Sequence, residues 1–257
     1  MLTMNGVVPF NHIAWGLPGA TVTLALPDEE AFATTPLHAL LRAACGPNPE
    51  AIALVGRDGR LSYAEMLRLA GNAAHAIAAR VPPGAPVACI LPRTPVATAG
   101  LLGCLVSGRL CLVLDPANPA ERQAALLEDA APAQVLFDKP IEFPHHAKEL
   151  LLADALRSVA TGWRPDYIWD ADAPFVVHFT SGSTGQPKGI VLSARSMLHR
   201  ALDSVETWPV TADDCVFAPS IFVLGSGLAF LLGALARGAR VVLADSAASS
   251  DCSGARQ

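Results

Sequence analysis

Short apolar runs alternate with longer segments of helical periodicity through the first half of the chain, and that alternation sets the expected fold. Val87-Ala88-Cys89-Ile90-Leu91, Leu110 to Leu114 and Gln134 to Phe137 are runs of strand length, apolar almost throughout. Helix signals lie around them. Ser62-Tyr63-Ala64-Glu65 has the order of a capping box, in which the serine hydroxyl accepts from the third helical N–H and the glutamate reaches back to the cap. Met66, Leu69, Ala70, Ala73 and Ile77 recur on one face until Val81-Pro82-Pro83 stops the helix. Thr94-Pro95 opens a second helix that Gly108 can close, and Asn118-Pro119-Ala120-Glu121 opens a third. Strands without a polar face are covered on both sides, so the pattern predicts an α/β fold of mostly parallel sheets with helices on both faces.

The second half continues the pattern. Phe175-Val176-Val177 and Ile190-Val191-Leu192 read as two strands joined by a loop. Pro219 to Ala236 carries no charge and touches the lower length limit of a membrane-spanning helix. Gly225, Ser226, Gly227 and Gly233 interrupt it, however, and strand-like Val216-Phe217 and Arg240-Val241-Val242-Leu243 bracket it, which favours a buried crossover helix and no membrane span. Residues 139–174, with Pro140, Pro144, Pro165, Pro174 and the pair His145-His146, read as a connection between a first α/β layer at 36–138 and a second at 175–245. The histidines read as surface residues rather than metal ligands. Residues 1–245 are thus expected to form one partial domain, followed by an unstructured tail at 246–257.

Composition narrows the class. At 257 residues, 52% apolar and 16% charged, the chain can bury a sizeable core. A formal charge of −5 leaves no basic footprint, so nucleic acid is not an expected partner. Cys45, Cys89, Cys104, Cys111, Cys215 and Cys252 include no Cys-x-x-Cys pair, and most sit in apolar stretches as small hydrophobes do; no metal site is expected. Val7-Val8-Pro9-Phe10 is too short for a secretory core, so a cytoplasmic location is the expectation.

The chemistry concentrates between the two strands of the second half, in Phe179-Thr180-Ser181-Gly182-Ser183-Thr184-Gly185-Gln186-Pro187-Lys188-Gly189. A Gly/Ser/Thr cluster in such a place is commonly a solvated turn. This one also suits a polyphosphate. Gly182, Gly185 and Gly189 permit backbone angles that turn successive N–H groups toward an anion. Thr180, Ser181, Ser183 and Thr184 add hydroxyl donors, and Lys188 adds a compact positive charge. The order is not that of a Walker loop, because Pro187 precedes the lysine and Gly189 follows it.

This segment resembles, almost letter for letter, the phosphate-binding signature of the AMP-forming acyl/aryl ligase superfamily, which includes acyl-CoA synthetases, peptide-synthetase adenylation domains and firefly luciferase. Asn48 to Leu54 with Leu61 to Glu65, and Gly108 to Arg122, are similar to further segments of the family, so the resemblance runs from about residue 36 to 245 in the family's order. It implies the two α/β layers of an adenylate-forming N-terminal domain, truncated. It also implies ATP and Mg²⁺ as cofactors, a carboxylic acid substrate, and CoA or a carrier-protein thiol as acceptor. Thr180 to Gly185 are then expected to fold over the β- and γ-phosphates, with Lys188 and Gly189 in the same loop and Thr184 and Lys188 as the catalytic pair.

Departures from the pattern carry information too. Ser193-Ala194-Arg195 stands where the family often has Ser-His-Arg. Gly225 falls where amino-acid-activating domains carry an aspartate for the substrate ammonium, and Phe222, Gly225 and Gly227 are the expected pocket residues. The run Phe222 to Gly227 favours a fatty, aryl or other acid without an α-amine. The family's later elements do not follow residue 245: a Gly-Pro-Thr-Glu segment whose glutamate assists Mg²⁺, an aspartate that holds the ribose, a hinge and a C-terminal domain bearing a lysine. The tail reads as a truncation or a shifted frame. One expectation is a ligase whose remaining parts come from a separate or fused chain. The other is an incomplete remnant or non-catalytic nucleotide-binding module; an unrelated α/β nucleotide-binding protein is the third.

Overall fold

The computed structural model describes residues 29–157, 164–180, 188–218 and 225–243. Two helices, α1 (Glu29–Thr34) and α2 (Leu37–Cys45), lead into an antiparallel hairpin of β1 (Ile52–Gly56) and β2 (Gly59–Ser62). Then come α3 (Tyr63–Ala78), β3 (Pro86–Ile90), α4 (Pro95–Val106), β4 (Leu110–Leu114), α5 (Ala120–Ala130), β5 (Gln134–Phe137), β6 (Lys148–Leu151) and α6 (Leu152–Arg157). The second half contributes β7 (Pro174–Thr180), β8 (Lys188–Ser193), α7 (Ala194–Glu206), β9 (Cys215–Ala218), α8 (Gly225–Ala236) and β10 (Arg240–Leu243).

The helix starts follow from their caps. Ser62 Oγ accepts from the Glu65 N–H at 3.2 Å while the Glu65 carboxylate accepts from the Ser62 N–H at 2.9 Å, the reciprocal pair that the sequence encodes. Thr94 caps α4 through the Ala97 N–H, with Pro95 at the first helical position. Ser193 caps α7 through Ser196.

Two sheets result. The larger has the order β6-β5-β3-β4-β7-β8, parallel except for the β7–β8 hairpin. The smaller has the order β2-β1-β10-β9, parallel except for the β1–β2 hairpin. Alternate residues of the central strands feed different cores: Val87, Cys89, Cys111 and Val113 enter the main one, whereas Ala88, Ile90, Leu112 and Leu114 pack under Leu126 and Leu127 of α5. That two-sided burial explains why these strands have no polar face. The main core joins both sheets through α3, α4, α7 and α8, and α4 buries every residue but Val96. The described part of the charge-free stretch is helical: α8 stands between β9 and its parallel neighbour β10 in the chain, as a crossover helix does. No helix among the described residues is long and apolar enough to cross a membrane.

The layers divide the chain differently from the expected split at 139–174. The β7–β8 hairpin belongs to the same sheet as β3, β4 and β5, and β1–β2 pair instead with β10. The expected connection itself contributes β6 and α6, β6 being an edge strand paired with β5. The physical reason is that strand neighbours are chosen by which apolar faces meet, not by proximity along the chain, and β1 finds its parallel partner almost two hundred residues away (Leu54 against Val241).

Polar tethers fix this interleaving. Tyr63 opens α3, and its buried hydroxyl is set between the carbonyls of Ala239 (2.9 Å) and Leu235 (3.0 Å) at the α8–β10 turn. Arg109 is 1% exposed; it donates to the Val81 and Ser107 carbonyls and meets Asp166 in a two-pronged ion pair. Gly233 is where α8 crosses α7, and a Cβ there would lie 2.2 Å from the Ala201 carbonyl oxygen.

Candidate nucleotide site

The candidate site is built on the β7–β8 hairpin. In register, Val177 faces Val191, His178 faces Ile190, Phe179 faces Gly189, and Thr180 faces Lys188. The ladder therefore brings the two ends of the Gly/Ser/Thr segment side by side. Strand β7 runs parallel to β4, so Thr180 lies at the same, carboxyl-terminal end of the sheet as Ile90, Leu114 and Phe137. In open α/β sheets, ligands bind beyond that end of the strands.

Of the expected phosphate-binding residues, Ser181, Gly182, Ser183, Thr184 and Gly185 lie outside the described residues, as does Phe222 of the expected pocket. Thr180 closes β7, and Lys188 opens β8 as an exposed residue. Gly189 departs from its expected role as a turning residue. It lies within β8 and is not among the glycines with positive φ; a Cβ there would stand 3.2 Å from Val177 Cγ1 and 3.3 Å from the Phe179 ring. Its smallness lets the Phe179 ring lie across the hairpin.

Gly225 begins α8, and a Cβ built on it would meet Arg200 Nη2 at 3.5 Å, His178 Cδ2 at 3.5 Å and His178 Nε2 at 3.6 Å. Gly227, two residues on, is buried. The structure thus groups the start of α8 with two residues that sequence reasoning passed over, His178 of β7 and Arg200 of α7. His178 left a trace in the sequence: it is the one strongly polar side chain in Phe175-Val176-Val177-His178-Phe179, and it is buried. Arg200 left none, because an exposed arginine on an amphipathic helix is ordinary.

Ser193-Ala194-Arg195 has a structural part to play. Ala194 is buried, and Arg195 donates to Asp172 at 2.7 and 3.0 Å and to Glu30 of α1, clamping α1 and the segment before β7 onto α7. The guanidinium bonds hold the Asp172 carboxyl below its usual range. The paired histidines are not alike. His146 is exposed, whereas His145 is tucked edge-on against Phe143 and bonds Glu149 four residues on at 3.1 Å, a carboxylate the surface reading overlooked.

A mostly parallel α/β sheet whose β7–β8 hairpin brackets a hydroxyl- and glycine-rich segment at the carboxyl ends of the strands is an arrangement shared by many nucleotide-binding folds. The comparisons give the family. The model of the AMP-binding enzyme family matches residues 41–255, and the chain belongs to that family. It is similar to the dimodular nonribosomal peptide synthase of Bacillus subtilis (31% identical, covering 76% of this chain and 9% of that protein). It is likewise similar to tyrocidine synthase 3 of Brevibacillus parabrevis (27%, covering 84% and 3%). The chain therefore spans less than a tenth of these curated relatives. Among solved structures, the AMPPNP-bound nonribosomal peptide synthetase FmoA3 superposes with a TM-score of 0.74 at 27% identity, over 83% of this chain and 23% of that one. The N-terminal subdomain of Klebsiella oxytoca NpsA superposes with a TM-score of 0.75 at 18% identity, over 85% of this chain and 56% of that one, a likeness of fold.

Proposed function

We propose that this chain is the triphosphate-gripping part of an AMP-forming ligase. The reaction joins a carboxylic acid to ATP, giving an acyl-adenylate and pyrophosphate, for later transfer to a carrier-protein or CoA thiol. The observation that carries this reading is the register of Thr180 against Lys188, which gathers the ends of the hydroxyl- and glycine-rich segment beyond the carboxyl ends of the parallel strands.

Residues Thr180 to Gly185 would supply amide and hydroxyl donors to the β- and γ-phosphates, and Lys188 a charge at the base of the hairpin. The chemical difficulty is the meeting of two anions. As the carboxylate oxygen bonds to the α-phosphorus, the bond to the bridging oxygen breaks and charge grows on the departing pyrophosphate. Donors already aimed at that charge typically contribute about 3 kcal/mol each to the transition state. Residues 179–189 contain no carboxylate, so this segment does not by itself offer the hard anionic ligand that Mg²⁺ prefers. The ion would be held largely by the nucleotide's phosphates, and its charge would be neutralising.

The acid we favour lacks an α-amine. Gly225 presents no carboxylate, and its near neighbours His178 and Arg200 offer none. An ammonium buried there would lose its hydration without gaining a partner. Activation of an amino acid is the second reading, favoured by the peptide synthetases among the relatives. A non-catalytic nucleotide-binding module is the third.

One experiment separates them. Binding of a fluorescent ATP analogue to the purified chain is compared with that to Thr184→Ala/Lys188→Ala, and acid-dependent exchange of labelled pyrophosphate into ATP is followed with aryl, fatty and amino acids. We expect affinity to fall at least tenfold in the double variant. Equal affinity overturns the nucleotide assignment, while binding without exchange for any acid favours the non-catalytic module.

A further inference from the structure

Three cysteines far apart in the sequence converge in the main core. Cys89 lies on β3, Cys104 on α4 and Cys111 on β4, and their sulfurs all fall within 4.8 Å of one another. The strand register explains the meeting. Val87 pairs with Cys111 and Cys89 with Val113, so the two strand cysteines sit two residues out of step on the same face, with their sulfurs 3.9 Å apart. The buried helix α4 packs on that face and brings Cys104 over them. Each cysteine is 1% exposed or less.

We propose that Cys89, Cys104 and Cys111 form a three-sulfur site for a soft monovalent metal ion of the copper(I) type. The spacing fits. With metal–sulfur bonds of about 2.3 Å, three sulfurs around a trigonal ion stand roughly 4.0 Å apart. The donor set also discriminates. Among the described residues, the group comprises these three sulfurs with no histidine or carboxylate. Zinc in structural sites takes four ligands, whereas thiolates with no fourth partner suit a soft ion content with three.

Metal binding displaces protons: as the three metal–sulfur bonds form, the thiol protons leave to solvent, and no atom changes oxidation state. This inference does not depend on the nucleotide reading.

Plain apolar packing is the competing explanation, and it predicts no metal. The test supplies copper(I), under anaerobic conditions, to the folded chain and in parallel during refolding, because the sulfurs are sealed from solvent. After desalting, copper per chain and the copper–thiolate charge-transfer absorption are read. We expect about one copper per chain, retained in Cys45→Ala/Cys215→Ala/Cys252→Ala. Cys104→Ala alone should weaken retention against a competing chelator at least tenfold, and Cys89→Ala/Cys104→Ala/Cys111→Ala should abolish the absorption. Copper held equally by the wild type and Cys104→Ala, or lost with the Cys45, Cys215 and Cys252 substitutions, overturns the proposal. So does no retained copper in the wild type.

Discussion

Arg109 and Asp166 form a two-pronged pair, Nη1 to Oδ1 at 2.6 Å and Nη2 to Oδ2 at 2.9 Å, between a side chain sealed in the core and one at the surface. The pair ties the segment before β7 to the start of β4. Asp166→Asn removes the charge and replaces one of the two acceptor oxygens with a donor, so the guanidinium keeps at most one prong of the pair beside its backbone carbonyls. We expect a loss of about 1–2 kcal/mol in urea unfolding at neutral pH, the low end reflecting the exposure of the carboxylate. Bonds from Arg109 hold the Asp166 carboxyl below its usual range. Its stabilisation is thus full above the unfolded value, ~4, and fades as pH falls through the lower folded one. The deficit of the variant should shrink in acid. A deficit that stays constant from pH 7 to pH 2 would refute this.

Tyr63→Phe tests the tether between the start of α3 and the α8–β10 turn. Burial pushes the phenol well above its usual range, so it stays protonated and donates throughout the accessible pH span. Losing that donor leaves the Leu235 and Ala239 carbonyls short of a partner, for about 1–2 kcal/mol. The ring remains, so the far-ultraviolet spectrum should not change. Chemical denaturation with an unchanged slope and a lower midpoint is the expected result.

Gly233→Ala sets two effects against each other. Alanine gains about 1 kcal/mol of helix propensity. Its Cβ would lie 2.2 Å from the Ala201 carbonyl, a backbone atom that cannot rotate aside, so α7 and α8 must part. Overpacking typically costs about 1–3 kcal/mol and here outweighs propensity. A melting temperature at or above the wild type would show that the crossing is looser than described.

The local elements were legible in the chain, and their assembly was only partly so. The capping box at Ser62 and Glu65 and the Thr94-Pro95 start were readable because they depend on residues within one helical turn. The buried strands were readable because burial on both faces leaves no polar alternation. The pairing of β1 with β10 was not, since it depends on which apolar faces meet across nearly the whole chain. At the candidate site, the hydroxyl- and glycine-rich segment was readable because its residues are consecutive. The grouping of His178 and Arg200 at Gly225, and of Cys89 with Cys104 and Cys111, arises from three separate elements each time and leaves no spacing to read.

Gly225→Asp probes the acid preference under the ligase reading. The nearest atoms to a Cβ there stand at 3.5 Å, an ordinary contact, so the substitution should fold with little change in stability. An aspartate placed there would offer an α-ammonium its missing partner. Arg200 Nη2, however, is close enough to claim the same carboxylate, and a neutralised aspartate attracts ammonium weakly. We therefore expect Gly225→Asp alone to shift preference toward an aminoacyl adenylate analogue, over an aroyl one, by only about twofold. Gly225→Asp/Arg200→Ala should shift it by about tenfold, or ~1.4 kcal/mol. The ratio of the two dissociation constants is the readout, and because it compares ligands sharing the same nucleotide, weaker nucleotide binding cancels. If the ratio is the same in the wild type and both variants, residue 225 does not face the acid's α-carbon substituent and the preference must be set elsewhere.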